Sequence, residues 1–237
     1  MTVLSIDCTA KPASVALLKN GKVLGSSYTN VGLTHSETLM PMVDEVLNNT
    51  KTTLDTVDYF AINAGPGSFT GVRIGIAALK GLTLFRDACI IPVSTLESMA
   101  YRYAGLKDGI YCGAMDARCK QVYTGTFKIE NGRVNRLTED SALPIAELPE
   151  ILKEFGDDII FLGDGAELCY KALNSKNPGY SLAPEQLRYQ HAEGVAMCAM
   201  KKIEEGFKPL KSEKLLPVYL RLPQAERELN NRKNKKK

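Results

Sequence analysis

The chain is poor in the residues that most often act as general bases, because only two of its 237 residues, His35 and His191, are histidines. Neither lies in a recognisable nucleophile-elbow motif, so the sequence does not support protease chemistry. Long apolar runs are also missing, since no stretch approaches the roughly 20 uncharged residues of a membrane-spanning helix. The opening residues, MTVLSIDCTAKP, reach an acid and a lysine too early for a signal peptide. These absences predict a cytoplasmic protein.

Cysteine pairs at metal-binding spacing are absent as well. The six cysteines form no C-x-x-C motif, and most of them stand among apolar residues, where cysteine behaves as a small hydrophobe. We therefore expect neither a disulfide framework nor a zinc site. The six are Cys8, Cys89, Cys112, Cys119, Cys169 and Cys198.

Positive charge is scarce in the body of the chain and concentrated at its end. The formal net charge is +3, but the last six residues, RKNKKK, hold five of the 30 lysines and arginines. Residues 1–231 therefore carry 25 basic and 27 acidic side chains, which is a net charge of −2. Such a run is typical of a solvated end, and an arm for nucleic acid is the alternative interpretation.

The strand pattern indicates an internal duplication. An apolar strand, TVLSID, ends at Asp7 and is followed by ASVALLK and KVLGSSY, which the pair Asn20–Gly21 joins as a hairpin. Further on, GIYCGAMDA passes Asp116, and Asn131–Gly132 joins QVYTGTFKI to RVNRL. Both pairs tolerate the positive φ of a tight hairpin turn. Strands and helices that alternate after each hairpin predict two related α/β lobes.

The predicted helices follow each hairpin. In THSETLMPMVDEVLNN, Thr34 and Glu37 have capping-box spacing, and Pro41 must kink the helix or lie near its first turn. A second helix follows the glycine-rich turn of NAGPGSFTGVRIGIAALKG, and a third begins at Ser94, with Glu97 three positions later. DDIIFLGDGAELC is typical of a strand, glycines and a helix, and HAEGVAMCAMKKIEEG of a helix. We expect LLPVYLR to form a late strand or an extended segment.

Six motifs, taken together and in order, resemble the TsaB (YeaZ) family: IDCT…SVALL, HSETLMP, GPGSFTGVRIG, PVSTLE, MDAR…VY and YLRLPQAE. They extend from Ile6 to Glu226. The resemblance implies two duplicated lobes of the actin-like ATPase (ASKHA, ribonuclease H-like) fold, which agrees with the internal repeat. We expect an N-terminal lobe with dimerisation helices at 1–105, a C-terminal lobe at 106–226 and a basic, disordered tail at 227–237.

The same resemblance implies a role in tRNA modification. The family is described as a non-catalytic scaffold or activator in bacterial synthesis of the threonylcarbamoyl group on tRNA adenosine. Its members bind a catalytic paralogue, TsaD, and a small ATPase, TsaE, and they form homodimers when alone. We therefore expect an accessory subunit that is not itself an enzyme and that meets tRNA only through its complex. An actin-like ATPase or small-molecule kinase that acts alone is the alternative.

The resemblance also directs attention to a metal motif of the catalytic paralogue, which has two histidines four residues apart on a helix. Here the matching positions are His35 and Leu39, and leucine has no lone pair to donate. One histidine does not make the open site of metal catalysis, so we expect no metal and no catalytic residue. His35 is interpreted as a helix-start or interface residue. Asp116 and Arg118 are expected to form a charge-assisted pair that fixes the second hairpin.

Two segments have features of a nucleotide site. Asp7 and Thr9 resemble the phosphate-binding turn of actin-like kinases, but Lys11–Pro12 follow in place of a glycine. Gly163 and Gly165 follow an apolar strand, where an adenosine would meet bare backbone. In the alternative interpretation, Asp7 caps the hairpin and the glycines end a strand. We expect no resident cofactor, with ATP admitted only at a shared subunit interface.

The helix after the glycine-rich turn has the pattern of a buried or partner-bound helix. From Thr70 to Phe85 it is apolar on nearly every side, and its small residues form stripes at helical spacing. Each glycine costs roughly 1 kcal/mol of helix propensity relative to alanine, which suggests a steric need for small residues. We expect Gly65 and Gly67 to shape the turn, and the helical glycines to make room for a neighbouring helix.

We expect this helix to form a partner surface with the helix of HSETLMP, and to complete a four-helix bundle with another subunit. Burial of the whole helix within its own lobe is the alternative. The predicted interface residues are His35, Ser36, Leu39, Met40, Val43, Leu47, Gly71, Arg73, Ile74, Gly75, Ala77, Ala78, Lys80 and Gly81.

Overall fold

The computed structural model describes residues 1–221, which contain two β-sheets. The first sheet lies in the N-terminal part of the chain. Its strands, β1 to β5 in chain order, are Thr2–Asp7, Ala13–Lys19, Lys22–Thr29, Tyr59–Gly65 and Ile90–Ser94. They lie in the order β3-β2-β1-β4-β5. β1 is antiparallel to β2 and parallel to β4, so the sheet combines a hairpin with a parallel half.

The second sheet repeats this arrangement. Its strands are β6 to β11 in chain order: Gly109–Asp116, Gln121–Glu130, Arg133–Arg136, Ser141–Pro144, Ile159–Leu162 and Ser181–Leu182. The strand order is β11-β10-β6-β7-β8, and β9 pairs with β7. If β6, β7, β8, β10 and β11 are matched to β1 to β5, the two orders are the same. The duplication that the sequence predicts is therefore confirmed.

The helices within residues 1–221 pack on both faces of these sheets. In chain order, α1 to α7 are His35–Thr50, Phe69–Leu82, Thr95–Tyr101, Leu148–Leu152, Ala166–Leu173, Glu185–Arg188 and Ala192–Glu204. α1 and α2 share a core with one face of the first sheet, in which Val43 and Ile76 meet Ile6. α4 and α5 share a core with the second sheet through Leu148, Cys169 and Phe161.

Two helices pack across the predicted boundary between the lobes. α7 comes late in the chain but packs on the first sheet, where Val195 shares a core with Val3. α3 precedes residue 105 but packs on the second sheet, where Leu96 shares a core with Phe127. α3 and α7 also contact each other. The division at 105/106 stays a prediction, and these helices join the two halves in space.

The turns and caps follow local sequence with one exception. Asn20 and Asn131 have φ of 50° and 51°, and the glycine after each also has positive φ, as the predicted hairpins require. Ser94 Oγ accepts the Glu97 N–H at 3.2 Å, which confirms that helix start. Thr34 is the N-cap of α1, but its side chain makes no capping bond, so the predicted capping box is wrong. The Glu37 N–H instead donates to the Thr34 carbonyl at 3.0 Å.

Cys8, Cys112, Cys169 and Cys198 are buried, which confirms their predicted role as small hydrophobes. Among the described helices, none is long and apolar enough to cross a membrane. The predicted basic tail at 227–237 lies outside the described residues.

Candidate functional site: a helix surface and an inter-lobe cleft

The glycine-rich turn is shaped by close contacts with neighbouring backbone. Ser68 caps α2, and its Oγ accepts the Gly71 N–H at 3.2 Å. A Cβ at Gly67 would lie 2.3 Å from the Thr9 carbonyl oxygen, and one at Gly65 would lie 2.3 Å from that of Val218. Both glycines are therefore required by the turn, as predicted, and the space beside them is filled by protein.

The inward face of α2 corrects part of the prediction that its glycines make room for a neighbouring helix, because Gly71 and Gly75 chiefly accommodate Cys8. A Cβ at Gly71 would lie 2.1 Å from the Cys8 carbonyl oxygen and 3.2 Å from the His35 ring. A Cβ at Gly75 would lie 2.5 Å from Cys8 Sγ and 3.3 Å from Ile62. These glycines let α2 approach the turn after β1 in its own lobe.

The outward face of α2 is open and mixed in character. Arg73, Ala77 and Gly81 are exposed, and nothing lies within 4 Å of a Cβ at Gly81. Burial of the whole helix within its lobe is therefore wrong for the described chain. Leu84 and Phe85 continue this face beyond α2 and are 59% and 99% exposed. The sequence prediction missed these two residues, although the apolar run LTLF at 82–85 carries the signal.

α1 lies beside α2 and adds to the same surface. Ser36, Met40 and Pro41 are exposed, whereas Leu39 and Val43 belong to the core of the lobe. We use the name α1–α2 surface for eight exposed residues of the two helices and the turn after them. It consists of Ser36, Met40, Pro41, Arg73, Ala77, Gly81, Leu84 and Phe85. Four of the predicted interface residues instead pack inside the lobe: Leu39, Val43, Gly71 and Gly75. Five more of the predicted interface residues are half-buried: His35, Leu47, Ile74, Ala78 and Lys80.

His35 and Leu39 do not form a metal motif. His35 is the first residue of α1, and its Nε2 donates to the Ala10 carbonyl at 2.8 Å. Leu39 is 1% exposed and packs among apolar residues of the first core. An aliphatic side chain at the second ligand position leaves no donor pair there, and the absence of a metal stays a prediction.

A cleft of about 410 Å³ separates the carboxyl ends of β1 and β6. The turn after each strand contributes to its walls, together with the loop before α2 and the segment after Val218. The sequence predicts nucleotide contacts in two segments, one around Thr9 and one around Asp164. Both residues line this cleft. The lining residues are Thr9, Ala10, Lys11, Gly67, Ser68, Phe69, Met115, Asp116, Ala117, Arg118, Tyr123, Asp164, Tyr219 and Arg221.

The two turns at the cleft have the same construction. Asp7 Oδ1 accepts the Thr9 N–H at 3.0 Å and the Thr9 hydroxyl at 2.7 Å. Asp116 Oδ1 accepts the Arg118 N–H at 2.8 Å, and the predicted Asp116–Arg118 ion pair is present at 3.6 Å. Burial raises the pKa of Asp7, although the hydrogen bonds from Thr9 oppose this shift. In both turns, the amide two residues after the aspartate is held by that aspartate's carboxylate.

The glycines predicted to receive an adenosine pack against β6. A Cβ at Gly163 would lie 2.2 Å from the Ala114 carbonyl oxygen, and one at Gly165 would lie 2.9 Å from the Asp116 nitrogen. Asp164, between them, accepts the Asp116 N–H at 3.3 Å. Burial raises the pKa of Asp164 to about 6. The structure gives both glycines a packing role, and nucleotide contacts here stay a prediction.

A C-terminal segment crosses the cleft from the first lobe to the second. The Val218 N–H donates to the Ala64 carbonyl at 2.7 Å, and the Tyr219 ring stacks on Phe69 at 4.5 Å. Arg73 Nε donates to the Tyr219 hydroxyl at 2.8 Å. Arg221 donates to the Ala117 carbonyl of the second lobe. The segment LLPVYLR is thus extended, as one of the two sequence predictions states. It places Tyr219 and Arg221 in the cleft wall. The local sequence does not reveal this position.

Two duplicated lobes facing each other across a cleft define a protein of the actin-like ATPase fold. Comparison with known proteins then shows that the chain belongs to the TsaB (YeaZ) family, which confirms the resemblance seen in its motifs. It is 34% identical to the Bacillus subtilis (strain 168) tRNA threonylcarbamoyladenosine biosynthesis protein TsaB, over 95% of this chain and 96% of that protein. The Escherichia coli (strain K12) protein of the same name is 32% identical, over 93% and 95%.

A solved structure and a second sequence family agree with this assignment. An uncharacterized protein with similarity to peptidase YEAZ from Pseudomonas aeruginosa has a TM-score of 0.81 and 29% identity, over 93% of this chain and 99% of that one. Residues 29–229 also match the family described as TsaD, tRNA N6-adenosine threonylcarbamoyltransferase. The chain is therefore related in sequence both to TsaB proteins and to the transferase.

Proposed function

We propose that this protein is a non-catalytic scaffold or activator subunit in the biosynthesis of tRNA N6-threonylcarbamoyladenosine. In this proposal it acts in the cytoplasm, binds its catalytic paralogue TsaD through the α1–α2 surface, and meets the ATPase TsaE in the same complex. The names of its full-length relatives support the pathway. The same surface would join two copies when the protein is alone.

The observation that carries the proposal is the cluster of small and apolar residues among the exposed residues of α1 and α2. Ala77 and Gly81 present no bulky side chain to solvent, while Met40, Leu84 and Phe85 are exposed beside them. Small residues allow a second pair of helices to approach closely, and the apolar side chains supply area to bury. Residues 29–229, which include both helices, match the transferase family, so we expect an equivalent helix pair there, which would suit pairing about a pseudo-two-fold axis.

A partner role also agrees with the residues at the paralogue's metal motif. The second histidine is replaced by Leu39, which packs in the core, and His35 is engaged by the Ala10 carbonyl. The chain would then supply helix surface and orientation to the complex, while the chemistry takes place in TsaD.

The interface is tested with Ala77→Arg. A long charged side chain on the exposed face should weaken binding to TsaD at least tenfold, which is about 1.4 kcal/mol or more. The free energy of unfolding should change by less than about 0.5 kcal/mol, because the site is exposed. Ala172→Arg is the matched control, since Ala172 is an exposed helical alanine on α5 of the other lobe. Calorimetry measures the affinities for TsaD. Light scattering measures the homodimer and the assemblies that contain TsaE.

Equal binding by Ala77→Arg and Ala172→Arg would contradict the proposed surface. The non-catalytic role is tested separately by incubating unmodified tRNA with the chain, with TsaD, or with both. Modified adenosine should form only when TsaD is present, and robust transfer by the chain alone would overturn the proposal. Micromolar binding of ATP and magnesium by the isolated chain would instead favour an ATPase or kinase that acts alone.

A further inference from the structure

Three cationic side chains line the inter-lobe cleft, and a fourth belongs to a turn that contributes to its wall. Lys11, Arg118 and Arg221 line the cleft, and Lys120 lies in the same turn as Arg118. Lys11, Arg118 and Lys120 are exposed. Among residues 1–221, no carboxylate lies within ion-pair distance of Lys11 or Lys120, and Arg118 has only its exposed pair with Asp116. We call these four residues the basic rim.

The floor of the cleft has the opposite character. Asp116 and Asp164 supply carboxylates, and the Thr9 and Arg118 amides already donate to aspartates within their own turns. A polyphosphate placed deep in the cleft would meet negative charge and engaged donors. An anion is therefore favoured at the rim and disfavoured at the floor.

We propose that the basic rim binds the phosphodiester backbone of tRNA directly, an inference that rests on the proposed role in tRNA modification and replaces the expectation that the chain meets tRNA only through its complex. Exposed cations beside aromatic side chains are the components of many single-stranded nucleic-acid sites. Here Tyr123 and Tyr219 line the same cleft. The rim also lies where the described chain ends at Arg221, and residues 222–237 carry six lysines and arginines against two glutamates.

The test compares two pairs of substitutions with equal loss of charge. Lys11→Ala with Arg118→Ala removes two rim cations, and Lys19→Ala with Lys22→Ala removes two exposed lysines at the far end of the first sheet. Binding of the full chain to an unmodified tRNA transcript is followed by fluorescence anisotropy between about 50 and 200 mM salt. The rim pair should weaken binding about tenfold and lower the salt slope by about 1.5. The control pair should leave both quantities near those of the wild type.

The possible outcomes separate the rim from its competitors. Equal affinities for the rim and control pairs, or no measurable binding by the wild type at about 50 mM salt, would overturn the proposal. Loss of binding on deletion of residues 232–237, with no effect of the rim pair, would assign tRNA contact to the tail alone and would also overturn it. Full competition of ATP with tRNA, together with an unchanged salt slope in the rim pair, would indicate a small-nucleotide site. That result would also overturn the proposal.

Complex formation with TsaD is measured on the same rim variant by light scattering. Retained assembly with weakened tRNA binding supports the rim. If the wild type does not assemble with TsaD, the proposed function is contradicted. Light scattering shows this result independently of the tRNA-binding measurement.

Discussion

The two lobes share a sheet but differ in their helices. Each sheet begins with a strand that ends at an aspartate, and each has the same strand order. Between its third and fourth matched strands, the first lobe has α1 of 16 residues, whereas α4 of the second lobe has five. After the fourth strand, α2 has 14 residues and α5 has eight. The difference teaches that strand pairing preserves the duplicated frame while helix length varies, and the two long helices of the first lobe carry the α1–α2 surface.

The largest expected effect comes from the glycines that hold a helix against the aspartate turn of its lobe. Gly71→Ala places a Cβ 2.1 Å from the Cys8 carbonyl oxygen, and Gly165→Ala places one 2.9 Å from the Asp116 nitrogen. Since backbone must shift in both cases, we expect losses of about 3 kcal/mol in the first lobe and about 2 kcal/mol in the second. Urea unfolding measures both changes.

The matched control for these variants is Gly81→Ala, which meets no atom within 4 Å. It should leave stability unchanged or raise it by up to about 1 kcal/mol through helix propensity. If Gly71→Ala were as well tolerated as Gly81→Ala, the inward assignment of that face would be wrong.

The next effect concerns Asp164, a half-buried carboxyl of the second lobe. Burial raises its pKa from 3.8 to about 6, so between these values the folded chain binds more protons than the unfolded chain and stability falls as the pH rises. Asp164→Asn keeps an oxygen for the Asp116 N–H and removes the charge. We expect it to raise the free energy of unfolding at pH 8 by on the order of 2 kcal/mol, with no gain below pH 4.

A pH series of unfolding measurements tests this sign, with the exposed Asp44→Asn on α1 as the control for a lost charge. Asp7→Asn should act in the same direction, because burial also raises the pKa of Asp7 in the first lobe. A fall in stability at pH 8 for Asp164→Asn would show that the buried carboxylate is favourable to folding.

The sequence predicts the sheets better than it predicts the faces of the helices. Apolar runs of strand length and two Asn–Gly turns are local signals, and the strands they predict are present. Gly71 and Gly75 have the same i, i+4 spacing as Ala77 and Gly81, yet the first pair faces Cys8 and the second faces solvent. Spacing alone cannot distinguish them, since the inward direction depends on where the helix meets the sheet.

Contacts between distant parts of the chain were also beyond local sequence. Tyr219 reaches Phe69 and Arg73 from the other end of the chain, and α7 returns to the first sheet. No periodicity in either segment encodes such a partner. The motifs resembling TsaB therefore predicted the family and fold, while the cleft wall required the structure.

The smallest effect tests whether the two lobes are equivalent at their hairpins. Gly21 and Gly132 have φ of 80° and 73°, and the nearest atom to a Cβ is beyond 4 Å at Gly21 and 3.8 Å away at Gly132. Substitution by alanine therefore costs only the strain of positive φ, about 1 kcal/mol at each turn. Because the backbone is the same in both lobes, the two losses should agree within about 0.5 kcal/mol in urea unfolding. A larger loss in one lobe would mean that its hairpin is held by contacts outside the turn, and that the duplication is less complete than the strand order indicates.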